Sequence, residues 1–194
     1  MKDSDAMNRL EEIFQSPMLQ INLLAAITGA CAALMTWVFI SMSQGIQSIF
    51  YGDSFIENSL KGTEREWLII FIPALGGLIA GLIIDYWSKD AKGAGVPMVM
   101  EAVAVKEARL SAKKAVAKCF ASATCIGTGM SLGRVGPMVV ISSTIGSEIG
   151  QRTGKTVEDT RTMVGCGAAS AITAAFNAPL GGVLFAIELV LAEL

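Results

Sequence analysis

Three short stretches carry the residue types from which a binding site could be built. They are Lys92-Gly93-Ala94-Gly95-Val96-Pro97, Gly133-Arg134-Val135-Gly136-Pro137 and Ala175-Phe176-Asn177-Ala178-Pro179-Leu180. In each, glycine or alanine lets another group approach the backbone closely. Proline suits a first helical turn because its missing N–H would have had no intrahelical partner there. All three therefore read as helix starts, with Asn177 expected to cap the last of them. A helix start exposes N–H groups that no carbonyl accepts and carries about half a positive charge. Several starts brought together can hold an anion without a fixed cation that would bind it too tightly to release. The ten residues Gly93, Ala94, Gly95, Val96, Pro97, Gly133, Arg134, Val135, Gly136 and Pro137 are the expected anion-binding and pore-lining positions. One such start alone is more often a plain structural break.

The elements that must position these starts belong in a bilayer. Of the 194 residues 53% are hydrophobic and only 16% charged, against about 25% charged in an average soluble domain. No Asp, Glu, Lys or Arg lies between Glu12 and Asp53, so the stretch 19–46 exceeds the ~20 residues that cross a hydrocarbon core and is expected to span with a tilt. A second uncharged stretch, 67–84, is just long enough to cross. Residues 116–150 and 162–187 are apolar but interrupted, the first by Lys118, Arg134, Glu148 and glycines including Gly146, the second at Asn177-Ala178-Pro179. They read as helices that begin or end at membrane depth, which is tolerated only where the freed backbone is buried in protein or lines a polar cavity.

Residues 85–118 hold seven Lys or Arg, whereas 50–66 hold two beside four acids. The positive-inside rule then places 85–118, and with it the N-terminus, in the cytoplasm, with residues 1–18 as an amphipathic cytoplasmic lead-in. A net charge of −2 argues against nucleic acid as a partner. Without His or a Cys-x-x-Cys, Cys31, Cys119, Cys125 and Cys166 offer no metal or haem site and are expected to pack in the membrane. The stretch Gly150 to Thr156 has three residues between its glycines where a P-loop needs four, and no cofactor or enzyme motif is expected.

In their order and spacing, GAGVP, GRVGP and AAFNAPLGGVLFAIE resemble the GSGIP, GREGP and AAAFNAPLAGxLFxxE signatures of the CLC chloride channels and chloride/proton antiporters. The resemblance runs from about Trp67 to the C-terminus, and the first span matches in hydropathy and place. It implies an all-α membrane protein, a CLC-type bundle of tilted, partly spanning helices in which residues 19–194 form the first of two inverted repeats. It further implies chloride as the transported ligand, a homodimer with one pore per subunit, a multi-pass protein of the cell membrane, and the need for a second CLC half.

Three positions depart from the family pattern. The glutamate that competes with the anion and carries the proton in the antiporters is Val135. The second glutamate of the pair after FNAPL is Leu189, with Glu188 in the first place. The serine of GSGIP is Ala94. Passive conduction uncoupled from protons is the expectation. The alternatives are an antiporter using Glu188 and Glu148 as a proton path, or a non-conducting CLC-like scaffold. In the plainer reading these two acids reach water or pair with a base, and Arg134 anchors its loop on carbonyls and buried acids. The family's GIFAP-type segment and pore tyrosine have no counterpart here. The apolar ending Leu191-Ala192-Glu193-Leu194 fits a piece of a longer protein better than a relic or a chain that assembles with another half.

Overall fold

A computed structural model describes residues 17–59, 66–87 and 95–191 as helices and short connections. Residues 1–16 of the lead-in 1–18, residues 60–65, residues 88–94 with Lys89, Lys92, Gly93 and Ala94, and residues 192–194 lie outside the described residues. We number the helices α1 (Pro17–Ser59), α2 (Glu66–Trp87), α3 (Gly95–Val105), α4 (Ala112–Gly127), α5 (Val135–Arg152), α6 (Val157–Phe176) and α7 (Pro179–Phe185), the last continuing as a π-helical stretch, Ala186–Leu191.

The first uncharged stretch forms a helix well beyond its expected end at Ile46. α1 runs 43 residues and is broken by a kink at Gly52, whose φ of 49° suits a residue without a β-carbon. Between Met18 and Gly52 it is apolar enough to cross a membrane, as is α2 over Ile70–Trp87. Pro73 sits inside α2 and denies one carbonyl its ladder partner. The outer faces of both helices are apolar and open: Leu34, Trp37, Ile70, Phe71, Leu78 and Leu82 are all more than 60% exposed. Water would penalise such a surface and lipid does not.

The interrupted segments break at 128–134 and at Asn177-Ala178. Gly146 lies within α5, where it serves as a notch. α5 is the centre of the bundle, buried from Pro137 to Thr144, and α1, α3, α4 and α6 pack around it. Its partners across the core include Phe39 of α1, Val99 of α3 and Val164 of α6.

α5 and α6 meet backbone to backbone. A β-carbon on Gly146 would collide with the Met163 carbonyl, and one on Gly167 with the Ser142 carbonyl. Small hydroxyls stitch the crossing: Ser143 Oγ donates to Val164 O at 3.3 Å, Ser170 Oγ to Gly29 O of α1 at 2.7 Å, and Thr36 and Ser142 hydroxyls lie 3.3 Å apart. Small residues allow this approach, and interhelical hydrogen bonds hold helices together where lipid supplies no hydrophobic drive.

α2 packs on α4 through Gly76, Ala80, Ala121 and Cys125, with Trp87 stacked on Phe120 at 5.9 Å. Cys125 is buried and Cys119 and Cys166 partly so, as expected, whereas Cys31 is exposed on α1.

The third helix start corrects one expectation. Asn177 does not cap α7 but ends α6 in the left-handed conformation (φ 53°, ψ 37°), and Ala178 takes the N-cap position with Pro179 as the first helical residue. Asparagine is among the few side chains that tolerate that region. Proline also biases Ala178 away from the helical conformation, and its φ of −124° and ψ of 82° fit.

Candidate functional site

Two of the three helix starts come together. Gly95 opens α3 and Gly136 lies in the first turn of α5. They face each other so closely that a β-carbon on Gly95 would stand 2.5 Å from the Gly136 Cα. At position 95 only glycine permits this crossing. It brings the first turns of two helices, with their unmet N–H donors, to one point.

The first turns of α3 and α5 hold no acid, and Arg134, the N-cap residue of α5, makes no side-chain capping bond. α6 is the contrast. There Thr156 and Asp159 form a reciprocal capping box, and Glu158 and Asp159 place two carboxylates in the first turn, so the chain's own groups fill the positive end. The segment that tempted a P-loop reading is this α5–α6 turn, with Gly154 at φ 62°.

The expected site residues divide as follows. Gly95, Val96, Gly136 and Pro137 are at the crossing with Pro97 on its exposed side, and Val135 is half-buried against the core. Gly133 is exposed, with nothing within 4 Å of where a β-carbon would stand. Arg134 is also exposed and, among the described residues, makes no ion pair. The anchoring on buried acids expected of it is absent from the described structure. Gly93 and Ala94 lie outside the described residues. The third start is held elsewhere: Gly182 of α7 packs against Ala169 O and Thr173 of α6, and the π-helical stretch 186–191 is the part that reaches α3.

Both acids weighed as a proton path lie in described helical segments. Glu148 pairs with Arg152 one turn on, Oε2 to Nε at 3.3 Å, and Glu188 is exposed on the π-helical stretch. Among the described residues no group of three or more metal-ligating side chains forms.

Sequence reasoning missed the polar pin behind this site. Ser147, fully buried, donates to Ala108 O at 2.6 Å and accepts from Leu110 N at 3.0 Å and Gln151 Nε2 at 2.8 Å. It fixes the α3–α4 connection, in which Glu107 and Ala108 hold left-handed φ values of 51° and 58°. That strain persists because neighbouring structure enforces it. The available signal was a hydroxyl in an otherwise apolar helix, which needs a partner when buried.

Comparison with known proteins adds four findings. Residues 76–194 match the family model described as voltage gated chloride channel. A putative chloride channel protein ClcB-like from Ralstonia nicotianae is 34% identical over 174 residues, covering 86% of this chain and 40% of the relative. The voltage-gated ClC-type chloride channel ClcB of Yersinia pseudotuberculosis is 30% identical over 91% of this chain and 43% of its own length. An H(+)/Cl(-) exchange transporter ClcA from Klebsiella pneumoniae is 29% identical over 97% of this chain and 40% of its own. The chain thus spans about two fifths of each of these relatives.

Proposed function

This chain belongs to the voltage-gated chloride channel family, and from that premise we propose that it supplies the first of two inverted halves of a pathway for a small monovalent anion, with chloride the ion carried. The observation that carries the reading is the meeting of two acid-free helix starts at Gly95 and Gly136. Donors fixed in the backbone need no reorganisation to receive an anion and, lacking full charge, let it leave again. The pathway is a membrane one, in a multi-pass homodimer of the cell membrane. Its N-terminus and the basic stretch 85–118 face the cytoplasm, as the distribution of Lys and Arg supports. It is a transport activity with chloride as cargo.

Conduction is passive. Val135 opens α5 with a side chain that cannot ionise, and Glu148, the acid on that helix, is engaged with Arg152. The test is to reconstitute the native protein in liposomes, impose a chloride gradient and follow the pH of the lumen. Chloride movement without stoichiometric proton movement is expected, and protons moving in fixed ratio to chloride would overturn the passive reading. A second reading, an exchanger, draws on Glu188, exposed on the π-helical stretch that packs against α3, and on the name of the Klebsiella relative. Loss of coupling in E188Q would favour it.

A further inference from the structure

Away from the helix-start crossing, a cleft of about 270 Å³ opens between α1, α4 and α5. Met35, Ala115, Val116, Ile141, Ile145 and Ile149 wall it. The one hydroxyl in the wall, Thr144, is satisfied by its own helix at Val140 O, 2.7 Å. At one end stand Glu148 and Arg152, with Ala112, the first residue of α4, beside them.

Three observations define the occupant. The cleft follows α5 from Ile141 to Arg152, about 16 Å at ~1.5 Å per residue, close to the depth of one leaflet in a core about 30 Å thick. Its wall is apolar and its volume is at the lower edge of the ~300–1,000 Å³ of compact ligand sites. It suits a single hydrocarbon chain. At the mouth two bases, Arg152 and Lys113 in the first turn of α4, stand against one acid, Glu148. Arg152 meets Glu148 at Nε, 3.3 Å, and its side chain is 83% exposed. α4 begins there with no side-chain cap and no acid in its first turn, and with Lys113 in that turn.

We propose that this cleft is a site for one phospholipid with an anionic headgroup. An acyl chain lies along α5. The phosphodiester is forked by the Arg152 guanidinium and shared with Lys113 and the first N–H groups of α4. The site lies in the leaflet that the basic stretch 85–118 faces, and it stands apart from the anion pathway.

The test is native mass spectrometry of the native protein with phosphatidylglycerol or phosphatidylcholine added. Retention of phosphatidylglycerol at least tenfold above phosphatidylcholine is expected. In the double variant K113Q/R152Q, one equivalent of phosphatidylglycerol per chain should be lost while chloride flux continues. V116W, placed at the half-open rim where folding is least at risk, should lower retention of the same equivalent by crowding the acyl chain. Equal retention of the two lipids, or an unchanged phosphatidylglycerol count in K113Q/R152Q, would overturn the proposal.

Discussion

Gly95 and Gly136 face each other, yet they are not equivalent. A β-carbon at Gly95 meets the Gly136 backbone at 2.5 Å, whereas one at Gly136 finds the Gly95 Cα at 3.5 Å, an ordinary contact. G95A should therefore separate the two helix starts and cost about 1–3 kcal/mol of packing, with reduced chloride flux, while G136A should be close to neutral. Thermal unfolding in detergent and liposome flux on the pair check this, and equal effects would contradict the asymmetry. At Val135 the expected change runs the other way. V135E would put a carboxylate at the α5 start, where it competes with the anion for the same donors. Flux should be low near pH 8 and rise towards pH 4 as the carboxyl protonates through its range, and a flat profile across that interval would count against an anion site at this point.

At the scale of elements, the α3–α4 connection is the most exposed to a single atom. S147A leaves Leu110 N–H and the Ala108 carbonyl without the hydroxyl they share. Each orphaned buried group costs about 1–3 kcal/mol, so a clear fall in the unfolding midpoint is expected. S143A, which removes one longer bond of 3.3 Å, should do less. This difference also marks how far the sequence was legible. The starts of α3 and α5 follow from glycine and proline at fixed offsets, because those residues act within one turn of chain. Asn177 misled because the same side chain suits an N-cap and a left-handed C-cap, and only the position of Pro179 relative to Ala178 separates them. The Ser147 pin was invisible because its partners lie 37 and 39 positions away. α1 ran past Ile46 because nothing in Gln47–Tyr51 breaks a helix before Gly52.

For the whole molecule, the outward apolar surfaces of α1 and α2 and the two-fifths coverage of the relatives bear on the same prediction. A pathway formed between inverted halves needs a second half, in one polypeptide or two. The intact mass of the native protein, measured with its co-purifying partners, should reveal it. A 194-residue polypeptide that carried chloride with no partner would refute the two-half arrangement. The crossing of α5 on α6 limits how such an assembly can move. Gly146 and Gly167 admit the Met163 and Ser142 carbonyls at one register, and Ser143 bonds across it. A one-turn slide would set side chains such as Met163 against notches shaped for backbone. The two helices travel as one block, so any opening or closing of the proposed pathway would fall to side chains or neighbouring elements and not to shear between α5 and α6.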